Sequence, residues 1–98
     1  MPAYLIADVE VTDAAGYEEY KKRVPATIAA YGGRYLARGG TTETLEGTMT
    51  LNRCVLLEFP SLERLKAWWA SPEYRPVKEI RERTARSRLI AVEGLPPA

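Results

Sequence analysis

The segment Arg53–Phe59 (RCVLLEF) is apolar on both sides of a strand, so any fold that contains it must cover two surfaces. Successive strand side chains point to opposite faces. Cys54 and Leu56 therefore share one face, and Val55, Leu57 and Phe59 share the other. Arg88–Glu93 poses the same problem, with Leu89 and Ala91 opposed to Ile90 and Val92. An antiparallel sheet with one wet face alternates apolar with polar residues, and these two strands do not. The chain's own helices can cover one face. The other calls for a second sheet, which a second copy of the chain supplies, and a homodimer is expected on that ground.

The rest of the sequence supplies the helices. Tyr4–Val11 reads as the first strand, apolar with the acids Asp8 and Glu10 alternating. Thr12 or Asp13 offers an oxygen to cap a helix. Tyr17, Tyr20, Val24, Ile28 and Tyr31 then recur at three- and four-residue spacing, the stripe of an amphipathic helix. Glu18/Lys22 and Glu19/Arg23 sit four apart on its wet side in the favourable order. Pro25 falls inside the pattern, where its missing N–H and its ring predict a kink or a restart. Gly32-Gly33 ends the helix, and Arg34–Arg38 is the second strand, closed by Gly39-Gly40. Thr41–Thr50 is a polar hairpin connection, with Glu46-Gly47 as its tightest turn signal.

After the third strand Pro60 stops the extended run and Ser61 caps a helix over Leu62–Ala70. Ser71-Pro72 reads as a further start, with proline at the first helical position. The helix it opens carries Tyr74, Val77, Ile80 and Ala85 inward, and Pro76 stands where an ordinary helix former is expected. Arg88–Glu93 is the last strand and Gly94–Ala98 an irregular tail. Residues 1–98 thus read as a single domain. With right-handed crossovers the order strand, helix, strand, strand, helix, strand predicts an α+β fold. It is a ferredoxin-like βαββαβ protomer with an antiparallel sheet in the order 4-1-3-2 and helices on one face.

Composition removes several chemistries. The chain has no histidine, the commonest base near neutral pH and a common metal ligand. Cys54 is the only cysteine and can form neither an internal disulfide nor a CxxC site. Histidine-based triads, histidine-ligated haem and ordinary zinc sites are excluded within one chain, so no metal or cofactor is expected. The net charge of +1 lacks the basic footprint of a general nucleic-acid binder. The single Arg38-Gly39-Gly40 follows a strand and precedes a turn, which discounts an RNA-binding reading. No apolar run approaches the roughly 20 residues that cross a bilayer. Met1-Pro2-Ala3-Tyr4 does not open as a signal peptide, so no membrane association and a cytoplasmic location are expected.

Candidate functional residues fall into three groups. Asp8, Glu10, Arg38, Arg53 and Arg88 collect at one edge of the expected sheet. There Arg38 and Arg53 would contact an anionic ligand, and the plainer alternative is a set of cross-strand ion pairs. Glu58 lies within an apolar run, where a carboxylate must be paired or have a raised pKa, and is the candidate for proton transfer. Its plainer alternative is an ion pair with an arginine at the strand end. Trp68, Tyr74 and Tyr20 are candidate aromatic lining of a small-molecule cleft, against the alternative of ordinary core. Adjacent Trp68 and Trp69 cannot both face inward.

The stretches YGGRYLARGG (Tyr31–Gly40), LEG (Leu45–Gly47), LEFPS (Leu57–Ser61), Trp68 followed by SPEY (Ser71–Tyr74), and VEG (Val92–Gly94) together resemble the family catalogued as domain of unknown function 1330. That family lies within the dimeric α+β barrel superfamily. The resemblance implies the ferredoxin-like protomer, a barrel formed by two sheets, and no settled activity. Relatives by fold include antibiotic-biosynthesis-type monooxygenases and lactone isomerases. The functional expectation is a small organic molecule, with an anion among the candidates, bound in a helix–sheet or barrel cleft. The alternatives are a cofactor-independent enzyme of monooxygenase or isomerase type and a non-catalytic interaction dimer. Protein purified without added cofactor should carry no stoichiometric zinc, iron or flavin by elemental analysis and absorbance. A stoichiometric amount of any of them would overturn this reading.

Overall fold

Local signals place each element of the computed structural model, which describes residues 1–97. Ala98, the last residue of the expected tail, lies outside the described residues. The order is β1 (Ala3–Val11), α1 (Ala14–Ala30), β2 (Arg34–Arg38), β3 (Cys54–Phe59), α2 (Leu62–Trp69), α3 (Arg75–Thr84) and β4 (Ala85–Glu93). The strands form one antiparallel sheet in the order β2-β3-β1-β4, and α2 with α3 takes the place of the second helix. This is the ferredoxin-like α+β arrangement that the sequence predicts. None of the described helices is long and apolar enough to cross a membrane.

Asp13 caps α1 by accepting the Gly16 N–H at 3.1 Å. The helix then runs through Pro25 without the expected restart. Proline leaves the Lys21 carbonyl without its donor four residues on, and Arg38 Nη2 donates to that oxygen at 2.7 Å.

The last helix starts later than expected. Ser71 Oγ accepts the Tyr74 N–H at 3.1 Å and donates to the Trp68 carbonyl at 2.8 Å, closing a turn. α3 therefore opens at Arg75, with Pro76 in its first turn, where an intrahelical N–H is not needed. At its other end Thr84 leads straight into β4. The Thr84 carbonyl accepts the N–H groups of Thr12 and Asp13 at 2.8 and 3.1 Å. Ala85 pairs with Val11 as the first residue of β4 instead of lying on the helix.

The sheet's two faces differ sharply. Ala3, Leu5, Ala7 and Val9 of β1 and Leu57 and Phe59 of β3 are buried beneath the helices. They pack in one core with Tyr17, Tyr20, Val24, Ile28, Leu65, Trp68, Tyr74, Val77 and Ile80. Each such large side chain contributes about 1.5–3 kcal/mol. On the opposite face Ile6 stands across from Leu56 on one side and Ile90 on the other. Ile90 is 64% exposed and Val92 45%. Cys54, expected to be buried, lies on this open face and is only partly covered.

A bulge between Tyr35 and Ala37 offsets β2. Tyr35 opposes Leu57, Ala37 opposes Leu56 and Arg38 opposes Val55. The extra residue turns Arg38 to the helix side, whereas Arg34 opposes Glu58 on the open side.

Gly33 makes the closest backbone approach to the core. A Cβ there would lie 2.6 Å from Phe59 Cε1 and 2.8 Å from Ile28 Cγ2. Gly33→Ala should lower stability in urea unfolding by about 1–3 kcal/mol through overpacking. An unchanged midpoint would show that Phe59 can give way.

Candidate functional site

The helices and the sheet enclose a cavity of about 30 Å³, room for about two waters. Its floor is β1 and β3 (Leu5, Ala7, Val9, Val55 and Leu57) and its helical wall includes Tyr17, Tyr20, Val24, Trp68 and Tyr74. Its charged lining residues are Lys21, Arg38, Arg53 and Arg81, with no carboxylate among the described residues that line it.

The inner end holds a polar cluster. Tyr74 is fully buried and stacks on Trp68, with ring centroids 4.1 Å apart and planes 27° from parallel. Its hydroxyl lies 3.0 Å from that of Tyr20, and Arg81 Nε donates to it at 3.4 Å. Trp68 Nε1 donates to Thr27 Oγ1 at 3.0 Å, and Thr27 in turn donates to the Val24 carbonyl at 2.7 Å. Burial, and then the neighbouring Tyr74, push the Tyr20 phenol well above its ordinary pKa, so it stays a neutral hydroxyl. Burial also raises Tyr35.

Arg81 is only 6% exposed, and none of the ion pairs among the described residues includes it. Burial opposes its charge, but the oxygens of Tyr74 and Tyr20 outweigh this and raise its pKa. The sequence reading missed this residue. The signal was its position, four residues after Val77 and seven after Tyr74, on the inward stripe of α3.

The outer end holds the two arginines expected as anion contacts. Arg38 donates to the Lys21 carbonyl and lies over the Tyr35 ring, 4.6 Å from its centroid. Arg53 approaches the Tyr17 ring at 5.8 Å, and its Nε is buried without a hydrogen-bond partner. Gly39 makes this position possible. Its φ is +75°, and a Cβ there would lie 2.8 Å from Arg53 Cζ.

Five of the expected site residues, Arg38, Arg53, Trp68, Tyr74 and Tyr20, border this one cavity. Glu58 does not. It alternates with Leu57 and Phe59, so when those face the helices it faces the open side, where Arg34 pairs with it at 2.7 Å. The expected enclosure of its carboxylate by apolar neighbours is corrected accordingly. The edge cluster also separates. Asp8 pairs with Arg88 at 2.8 Å and accepts the Asn52 N–H at 2.8 Å, and Arg86 approaches Glu10 at 4.0 Å, all on the open side. Trp69 turns outward, 37% exposed, with Lys78 Nζ 4.3 Å from its ring centroid. Among the described residues no three Cys, Asp or Glu side chains gather closely enough to hold a metal ion.

The family model described as "Domain of unknown function (DUF1330)" matches residues 2–95. No curated protein matches the chain. Among solved structures, a protein of unknown function from Rhodopseudomonas palustris is similar at 22% identity, covering 98% of this chain and 84% of that one, with a TM-score of 0.77. SnoaB, a cofactor-independent oxygenase from Streptomyces nogalater, is similar at 13% identity over 98% of this chain and 95% of its own, with a TM-score of 0.66. A dimeric ferredoxin-like protein of unknown function from Jannaschia sp. CCS1 is similar at 12% identity over 96% and 100%, also with a TM-score of 0.66.

Hydrogen bonding from Arg88 first, then from the Asn52 and Arg53 backbone, outweighs desolvation and holds Asp8 below its ordinary 3.8. A lowered folded value means that the carboxylate stabilises the fold fully above that ordinary value and less as pH falls through the folded one. The melting-temperature gap between the native chain and Asp8→Asn should therefore be widest near neutrality and close between about pH 5 and pH 2. A gap independent of pH would assign the loss to packing.

Proposed function

The chain belongs to the family described as Domain of unknown function (DUF1330), and from that premise we propose that it is a homodimer that binds a small organic anion between its helices and sheet. The observation that carries the reading is charge imbalance. Lys21, Arg38, Arg53 and Arg81 line an apolar, aromatic cavity whose described lining has no carboxylate. Among the described residues only Lys21 of these cations has an acid partner, Glu18 at 2.9 Å outside the lining. A buried guanidinium without a counter-ion is costly, and an anion relieves that cost. A guanidinium fork matches the two oxygens of a carboxylate, and a single N–H of it can reach a phenolate or enolate oxygen. Of the paired Tyr20 and Tyr74 hydroxyls one donates to the other, which leaves one O–H for the ligand, and Trp68 offers a flat apolar surface to the ligand's body.

At about 30 Å³ the cavity admits water but no organic molecule, so binding requires the outer side chains to swing away. The cavity offers cations and neutral phenols but no carboxylate or imidazole base, which favours capture of an anion already formed over proton abstraction. A second reading, a cofactor-independent oxygenase, follows the description of SnoaB. The Tyr74–Arg81 pair favours it to this extent: the two groups would stabilise the negative charge that passes to dioxygen as a bound enolate or phenolate gives up electrons to it.

The dimer rests on the open sheet face, where Ile6, Leu56, Ile90 and Val92 form an apolar surface larger than scattered exposed residues would make. The Jannaschia relative is described as dimeric. Sedimentation at low micromolar concentration should give about twice the 11.0 kDa chain mass, and a stable monomer would overturn the sheet-on-sheet contact.

The ligand class is tested with flat anions (salicylate, benzoate and 2-naphthoate) against neutral salicylamide by calorimetric titration. The anions should bind, the amide about tenfold more weakly or worse, and Arg81→Gln should remove most of that preference. Equal affinity for salicylate and salicylamide, or no binding by any member of the series, would overturn the proposal. Oxygen uptake on addition of a bound anion would move the assignment to the second reading.

A further inference from the structure

Pro25 lies in the interior of α1, where proline ordinarily breaks or bends a helix. Residue 25 has no N–H to give the Lys21 carbonyl, and Arg38 Nη2 occupies that place at 2.7 Å. The arrangement depends on the bulge in β2. Without the extra residue Arg38 would alternate onto the open face with Arg34, and with it Arg38 shares the helix side with Val55. The Tyr35 ring supports the guanidinium at 4.6 Å. Arg53, at the same mouth of the cavity, differs in one respect: its buried Nε has no partner.

We infer that Arg38 stands in for the backbone donor that Pro25 removes, as a positioning residue that ties α1 to β2 at the cavity mouth, and that Arg53 is the mouth arginine left to grip the anion. The second half rests on the ligand-binding reading, and the first half does not. A guanidinium donating to a carbonyl makes a charge-assisted bond, stronger than the neutral amide bond it replaces. Giving it up to reach a ligand therefore costs Arg38 more than ligand contact costs Arg53.

A double-mutant cycle on the full-length protein tests the first half. Pro25→Ala returns an N–H to position 25, so the Lys21 carbonyl regains its helical partner and Arg38 becomes dispensable. Arg38→Met should lower the melting temperature by several degrees in the Pro25 chain and by less than half as much beside Pro25→Ala. Arg38→Lys, which keeps a donor, should retain most of the stability. Folding of Arg38→Met only in the Pro25→Ala background would be the same result in stronger form. Equal losses in both backgrounds, or failure to fold in both, would overturn it.

Salicylate titrations in the native Pro25 chain, where the Lys21 carbonyl still holds Arg38, and at a temperature at which each variant is folded, test the second half. Arg53→Met should weaken binding by about tenfold or more and Arg38→Met by no more than about threefold. A loss at Arg38 equal to or greater than that at Arg53 overturns the division of roles. Failure of the unsubstituted protein to bind salicylate overturns the assignment of Arg53 along with the cavity reading, while the melting cycle still decides Arg38.

Discussion

The alternation along β1 sets most of what surrounds it. This strand is central, paired over six positions with β3 and over nine with β4. Its odd-numbered residues, Ala3, Leu5, Ala7 and Val9, go under the helices, and its even-numbered ones, Tyr4, Ile6, Asp8 and Glu10, go to the open face. A shift of one residue would exchange every one of them, carrying Asp8 and Glu10 into the core. Because β3 and β4 are locked to β1 residue by residue, the same choice fixes Leu57 and Phe59 inward and Glu58, Arg86 and Arg88 outward. Leu5, Ala7 and Val9 floor the cavity, and the rings of Trp68 and Tyr74 help to wall it from the helices.

Charge follows this division. Three acids of the sheet, Asp8, Glu10 and Glu58, reach the open face and meet arginines there. Among the described residues no ion pair includes Arg38, Arg53 or Arg81 on the helix side. Arg81 is held by a tyrosine oxygen and lies 5.8 Å from the Trp69 ring centroid, and Arg53 leaves a buried nitrogen unpartnered. Segregation of this kind is costly in a folded chain unless something anionic comes to the cations. It is the physical reason for reading the cavity as a binding site and not as ordinary core.

Two breaks in regular structure are each repaired by a side chain. Pro25 removes a donor from α1, and Arg38 supplies one from β2. Ser71-Pro72 interrupts the second helical segment, and the Ser71 hydroxyl accepts from one side of the break and donates to the other. The second repair turns the chain so that Tyr74 lies flat on Trp68 with its hydroxyl against Tyr20. Pairing these groups inside the protein keeps buried polar atoms satisfied and so holds the inner end of the cavity in one geometry.

Element order, sheet order and the membership of both core faces were legible in the residue pattern, because periods of two and of three to four residues report local backbone geometry. Helical spacing also marked Tyr20, Trp68 and Tyr74 as residues facing the sheet, as core or as cleft lining, and the structure puts them on one cavity with Arg38 and Arg53. Tertiary contacts set where Arg38 and Glu58 point and what allows Arg81 to be buried. Arg38 reaches the helix side only because a bulge adds one residue to β2, and a bulge has no period to reveal it. Glu58 left the cavity because its neighbours Leu57 and Phe59 took the helix face, a choice that depends on which side the helices occupy. Arg81 stands on the inward stripe of α3 that Val77 and Ile80 mark, but Tyr74 and Tyr20, from distant parts of the chain, supply the oxygens that let a guanidinium be buried there.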